Sequence, residues 1–422
     1  MNPSLARAAY SLLLRLATPV YLARLWWRGR AEPLYRSHLA QRLGFGVATA
    51  PGALWLHAVS LGETKAAEPL LKALRAARPG LRLLLTHSTA TGREAGAKLL
   101  QPGDAQAWLP YDTPGAVRRF LQRHRPAAGV LMETEVWPNL LHEARQHSLP
   151  VVLANARLSA KSQAKGERLA ALLHPAVAAL ARVLAQTPAD AQRLQASGAR
   201  QVMVMGNLKY DLAPPPKLTA RGLQWRQALA RPVVLATSTR EGEEGPLLQA
   251  WQALPLPRPL LLLVPRHPQR FDAVAQLVQA QGLRLQRRSS WGELPPAEAA
   301  QADVWLGDSV GEMPLYYGAA DSALLGGSFA PLGGQNLIEA AACGCPLVMG
   351  PHTFNFAEAA ELSLAAGASQ RASDMADGVA RAVALAAAPD RNAWVQRALA
   401  FAAEHRGAAQ RMAQAVLDCL PR

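Results

Sequence analysis

From Ala53 onward, short apolar runs alternate with Ala-, Leu- and Arg-rich stretches, and that alternation leaves few folds open. The first series of candidate strands is Leu54–Val59, Leu81–Thr86, Ala107–Pro110, Gly129–Met132, Val151–Asn155, Arg182–Ala185 and Gln201–Met205. Strands that are apolar on both faces need cover on both, and intervening helices supply it. The pattern therefore predicts parallel, doubly wound α/β sheets. It stops at Ala213-Pro214-Pro215-Pro216-Lys217, a stiff extended run. A second series follows: Pro232–Thr237, Leu260–Val264, Arg284–Leu285, Asp303–Leu306, Ser322–Leu325 and Pro346–Met349. A chain of 422 residues is long enough for two cores. The expected organisation is a basic, apolar N-terminal segment (1–46), a first domain (47–212), a proline linker (213–217) and a second domain (218–422). The last helix is free to pack back on the first domain. Ligands in such sheets bind outside the carboxyl ends of the strands, so a cleft between facing domains is the expected site.

Within the second series, Pro331-Leu332-Gly333-Gly334-Gln335-Asn336 opens into a small-residue helix expected over Leu337 to Cys343. Glycines let a phosphate approach the backbone, and the free N–H groups of a helix start attract its charge. Glu339, one turn inside, is placed to accept ribose hydroxyls. The plainer alternative is an ordinary βα turn whose glycines only close the loop.

The net charge of +15 suits nucleic acid, acidic membranes or anionic substrates. No nucleic-acid-binding module is recognisable, so no nucleic-acid partner is expected. The charge concentrates at the N-terminus, where Arg7, Arg15, Arg24, Arg28, Arg30, Arg36 and Arg42 face one acid, Glu32. The same segment is apolar between Ala8 and Trp27. Arg15 and Arg24 would each cost about 2.5–3.5 kcal/mol at a bilayer centre, whereas each Leu returns about 0.3–0.6. A helix lying in the membrane interface is expected, divided at Pro19 and anchored by Trp26 and Trp27, with a single tilted span as the alternative. The bland reading is an amphipathic helix packed on the protein itself. Cys343, Cys345 and Cys419 form no disulfide framework, and Cys343-Gly344-Cys345 is better read as packing than as a metal pair.

Two Ser-x-x-Glu runs follow the first strand of each series: Ser60-Leu61-Gly62-Glu63 and Ser238-Thr239-Arg240-Glu241. Both fit a capping box. Glu63 also sits where a carboxylate faces a cleft, and an ionised carboxylate against a bound hydroxyl is a general base. Glu133 and Glu135 follow another strand, and Glu135 is a candidate acceptor contact. In an extended segment only one of that pair would face the cleft. With no Asp-x-Asp run, neither a catalytic metal nor any other cofactor is expected. Arginines and lysines at strand ends would then meet phosphate: Arg157, Lys209 and Arg266 are the candidates. His267, between prolines, reads better as a structural hydrogen-bonding residue than as a base.

The chain resembles the 3-deoxy-D-manno-oct-2-ulosonic acid (Kdo) transferases of lipopolysaccharide assembly. The resemblance runs through RGRAEPLYRSHLAQRLGFG at 28–46, WLHAVSLGE at 55–63, METEVWPN at 132–139, NARLS at 155–159 and GNLKYD at 206–211. It continues through STREGEE at 238–244, PRHP at 265–268, GDSVGEM at 307–313 and GGSFAPLGGQNLIEAAACGCPLVMGPHTFNF at 326–356. One departure is Arg240, where the family more often has His. The resemblance implies a GT-B glycosyltransferase of two Rossmann-like domains, with CMP-Kdo as donor and a lipid A precursor as acceptor. It also implies work at the cytoplasmic face of the bacterial inner membrane, with anionic lipids as partners. The family's catalytic base falls on Glu63. Its CMP contacts fall on Pro265 and Arg266, on Gly311, Glu312 and Met313, and on Asn336, Leu337, Ile338 and Glu339, beside Gly334. The rival readings are another GT-B nucleotide-sugar enzyme, such as an epimerase, and a non-catalytic membrane protein that binds lipopolysaccharide precursors.

Overall fold

The computed structural model describes residues 2–211 and 214–420 and contains two compact units. The first comprises Met1–Asp211 and Arg406–Arg422; the second is Leu212–His405. The first holds seven parallel strands: β1 (Leu54–His57), β2 (Leu83–His87), β3 (Ala105–Trp108), β4 (Ala128–Met132), β5 (Val151–Ala156), β6 (Arg182–Ala185) and β7 (Val202–Val204). Their order is β3-β2-β1-β4-β5-β6-β7. The second holds β8 (Val233–Thr239), β9 (Leu260–Pro265), β10 (Leu285–Arg287), β11 (Val304–Leu306), β12 (Ser322–Leu325), β13 (Leu347–Met349) and β14 (Ser369–Arg371), in the order β10-β11-β9-β8-β12-β13-β14. β14 lies outside the sequence expectation, because Ser-Gln-Arg carries no β-branched or aromatic residue and is recognisable only by its pairing with β13.

Strand residues alternate between two cores because successive side chains point to opposite faces. In the first unit Leu54, Leu56, Val130 and Met132 pack with Leu70, Leu74, Met412 and Val416. Trp55, Leu131 and Leu153 pack on the other face with Phe120, Leu121 and Leu140. The final helix Ala408–Leu417 thus belongs to the first unit's core, against the helix Leu61–Ala77. Asp211 fixes its start by accepting hydrogen bonds from the Gly407 and Ala409 N–H groups at 2.5 and 2.6 Å. The second unit's core joins Val234, Ala236, Leu261 and Leu263 to Trp251, Val278 and Leu385.

Of the linker expected at 213–217, Ala213 lies outside the described residues. Pro216 and Lys217 already form the first turn of the helix Pro216–Gln227, a position where proline's missing N–H costs nothing.

The N-terminal helix runs unbroken from Pro3 to Arg28, through Pro19 rather than dividing there. Its inward face is hydroxyl-rich. The Tyr10 hydroxyl donates to Asp112 Oδ2 at 3.0 Å, Ser11 donates to Asn139 Oδ1 at 3.0 Å, and the Tyr21 ring lies 5.7 Å from Tyr111. Leu5, Leu12, Leu13, Leu16, Val20 and Trp27 point outward, 58–70% exposed. The single tilted span is corrected: among the described residues no helix is long and apolar enough to cross a membrane. Four arginines and a hydroxyl-lined face, committed to the protein, are the reason.

Candidate functional site

Each sheet reverses its strand order once, between β1 and β4 in the first and between β8 and β12 in the second. The carboxyl ends of such strand pairs are where doubly wound sheets bind ligands. The backbone marks these points. Glu133 after β4, Asn155 within β5 and Ser238 within β8 have φ of +57°, +52° and +52°. A left-handed non-glycine residue costs on the order of 1 kcal/mol and clusters at functional sites.

In the first unit, Ser60 caps the helix Leu61–Ala77 by accepting the Glu63 N–H at 3.4 Å. The Glu63 carboxylate accepts the Val59 N–H at 2.9 Å on Oε2 and the Ser60 hydroxyl at 3.3 Å on Oε1. The capping role is real, yet each carboxylate oxygen keeps a lone pair. Glu133 and Glu135 both lie within electrostatic reach of Glu63, on a turn in which Glu133 is left-handed. Burial, reinforced by the Glu133 charge, raises the Glu63 pKa; the Val59 amide, Ser60 and Arg157 oppose the rise. Burial first, then Glu63 and Glu133, push Glu135 up to about 7 against the Trp137 indole N–H, which donates to Oε2 at 2.7 Å. Arg157 Nε donates to Glu133 Oε2 at 2.9 Å. Lys209 lies in the same electrostatic neighbourhood, its pKa lowered by burial and by Arg157 and supported by Glu133. Glu63, Glu135, Arg157 and Lys209, picked separately along the sequence, converge here.

His57 was not singled out in the sequence. It is fully buried on β1, and burial, aided by the His87 charge, lowers its pKa to about 3. Nδ1 sits 3.0 Å from both the carbonyl and the hydroxyl of Thr86, and Nε2 lies 4.0 Å from Glu135 Oε2. A histidine closing an apolar strand immediately before a capping box was the available signal.

The second unit uses its acids otherwise. The run Ser238–Glu241 forms no capping box: Ser238 is left-handed, and the helix begins at Glu244 with Glu243 before it. Glu243 is buried and accepts four backbone N–H groups, from Arg240 (2.8 Å), Gly327 (2.7 Å), Phe329 (3.1 Å) and Ala330 (3.3 Å). It ties the end of β8 to the turn after β12. Glu244 accepts both Arg270 nitrogens at 2.6 and 2.9 Å and the Thr239 hydroxyl at 2.9 Å. Glu312 accepts Arg221 at 2.7 Å, Arg288 at 2.9 Å and the Ser309 hydroxyl at 2.6 Å. Burial alone would raise the Glu312 pKa, but these partners hold it low.

Pro265 ends β9 and Arg266 follows it; the Arg266 N–H donates to the Thr239 carbonyl at 2.9 Å while its side chain is exposed. Arg240, Arg266 and Arg270 converge on His267, whose pKa is lowered by its burial and then by these three charges. Gly333 and Gly334 have φ of +88° and +75°, as the turn requires. The Gly334 and Gln335 N–H groups donate to the Gly327 and Gly326 carbonyls at 2.8 and 3.1 Å, so they close the turn on itself. Asn336 caps the helix Leu337–Ala342 through the Ile338 N–H at 3.1 Å. Leu337 and Ile338 are buried, leaving only their backbone for a ligand, while Glu339 is half-buried in the first turn. Gly311 has φ +87° with open space around its α-carbon, and Met313 starts the helix Met313–Ala319. Among the described residues no group of three or more His, Cys, Asp or Glu side chains is arranged to hold a metal.

With this geometry in place, comparison with known proteins is direct. Residues 37–212 match the family described as 3-deoxy-D-manno-octulosonic-acid transferase (kdotransferase). The chain is 48% identical to the 3-deoxy-D-manno-octulosonic acid transferase of Bordetella pertussis, over 99% of this chain and 100% of that protein. It is 36% identical to the Haemophilus influenzae protein of the same name, over 89% and 90%. Among solved structures, a glycosyltransferase from Rickettsia africae superposes with a TM-score of 0.58 at 11% identity, covering 88% of this chain and 99% of that one. At that identity the likeness is one of fold, and the fold is GT-B.

Proposed function

Because the chain belongs to the 3-deoxy-D-manno-octulosonic acid (Kdo) transferase family, we propose that it moves Kdo from CMP-Kdo to a hydroxyl of a lipid A precursor, with inversion. The observation that carries the reading is the crowding of Glu63, Glu133 and Glu135 at one switch point, with Arg157 and Lys209 beside them. A carboxylate raised by burial and like charge, yet anchored by an amide and a hydroxyl, is suited to take a proton. In this mechanism Glu63 accepts the proton of the acceptor hydroxyl as its oxygen bonds to the anomeric carbon of Kdo. The bond from that carbon to the phosphate oxygen breaks, and CMP leaves with the electron pair.

Arg266 supplies positive charge for the CMP phosphate, supported by the concentration of arginines around His267. Gly311, Glu312 and Met313, with Asn336 to Glu339, form the rest of the donor surface. Glu312 contributes through the backbone it steadies, since its carboxylate is held by two arginines.

The outward apolar stripe of the N-terminal helix supports docking on the inner membrane's cytoplasmic surface, where anionic lipids meet its arginines. The test is direct. Purified protein is incubated with CMP-Kdo and tetra-acylated lipid A precursor; CMP release is followed, and the product's mass and anomeric configuration are determined. CMP release with a product heavier by Kdo units and of inverted configuration is expected; no transfer, or retained configuration, would refute the reading.

A further inference from the structure

Along one flank of the N-terminal helix runs a groove of about 780 Å³, inside the roughly 300–1,000 Å³ span of ligand pockets. Ala6, Ala9, Tyr10 and Leu13 form one wall, and residues 169–173, Leu-Ala-Ala-Leu-Leu, form the other. The floor is the loop 134–138, which carries Glu135. Small side chains on both walls open the depression, while Leu13 and Leu169 stand largely exposed on its lips. Apart from Glu135, the charged residues lining it are Glu167 and Arg168, both exposed.

We propose that this groove receives one acyl chain of the lipid acceptor and holds it beside the carboxylates that act on the headgroup. The proposal rests on the lipid-acceptor reading above and adds where the chain lies. Continuity at both ends identifies the occupant. At the outer end, Leu13 belongs also to the exposed stripe of Leu12, Leu16 and Val20, so the groove opens onto the helix's apolar outer surface. At the inner end stands Glu135, with Glu63 and Glu133 beyond it. Carboxylates with lone pairs to spare accept the hydroxyls of a sugar. The molecule that satisfies both ends is a sugar bearing acyl chains.

The experiment uses the full-length protein in lipid nanodiscs with an acylated glucosamine disaccharide phosphate carrying a diazirine in mid-chain. Photolysis should place adducts on residues 169–173 as well as on the helix between Ala6 and Leu13. Ala171→Trp, which fills the groove, should cut those adducts at least tenfold. It should also lower the ratio of kcat/KM for the acylated over the deacylated disaccharide about tenfold. Ala9→Trp, from the opposite wall, should do the same and decides the matter if Ala171→Trp melts early by circular dichroism. Adducts confined to Leu12, Leu16 and Val20, an unchanged ratio, or equal labelling by a diazirine phosphatidylglycerol would overturn the proposal. Loss of Kdo transfer by the wild-type protein with the adducts intact would instead sink the functional reading and leave the groove standing.

Discussion

The two units place acids just beyond their strands and treat them oppositely. In the second unit Glu243 receives four backbone amides, Glu244 a bidentate arginine, and Glu312 two arginines and a hydroxyl. These carboxylates are satisfied and act as pins. In the first unit Glu63, Glu133 and Glu135 crowd one another, and two of the three have raised pKa values. Partners, not position, set the difference: the donors around Glu312 hold its pKa low, whereas burial and like charge raise Glu63 and Glu135.

Four substitutions test that contrast. Glu63→Gln should lower kcat about a hundredfold to ten-thousandfold, the usual worth of a general base, with the helix start and melting temperature kept because Gln also serves in a capping box. Wild-type-like turnover would reduce Glu63 to a cap. Glu243→Ala strips the shared acceptor from four backbone amides, one buried and three part-buried, and should cost about 3 kcal/mol of stability, read by denaturant unfolding of the second unit. A loss of activity with unchanged stability would make Glu243 chemical rather than structural and break the contrast. Arg266→Ala should weaken CMP binding about tenfold to a hundredfold in calorimetric titration, the range for a charge-assisted hydrogen bond, and leave the acceptor's KM alone.

The smallest effect sharpens the contrast most. Glu135 gains its charge only as pH rises through about 7, and the Glu63 charge is one of the causes that hold it there, so Glu63 ionises first, beside a neutral Glu135. Glu135→Gln replaces one neutral group with another, and the acid limb of the kcat/KM profile should stay in place. A limb that moves down would show that Glu135 is already charged when Glu63 titrates.

Much of this was legible in the chain. Leu and Val runs at strand spacing marked thirteen of the strands, and Ser60-x-x-Glu63 marked the cap that the structure contains. What could not be read were partners. The turn that carries Glu133 and Glu135 has a φ of +57° at Glu133, which no residue preference announces in glutamate. The second Ser-x-x-Glu run looked the same as the first, yet Ser238 is left-handed and the helix begins later, at Glu244. The glycine turn was placed correctly, but two of its amides bind carbonyls from Gly326 and Gly327, a pairing set by the adjacent strand end. The N-terminal helix was read as amphipathic; that its hydroxyls face inward and its leucines outward came only from the positions of Asp112 and Asn139.

The last helix lies in the first unit's core, with Met412 and Val416 against Leu70 and Leu74. A ribosome releases the N-terminal sheet long before it makes those residues. The unit that holds β1 to β7 therefore waits, one flank bare, until Ala408–Leu417 has been made. Shortening the tail would injure the half of the molecule that was made first.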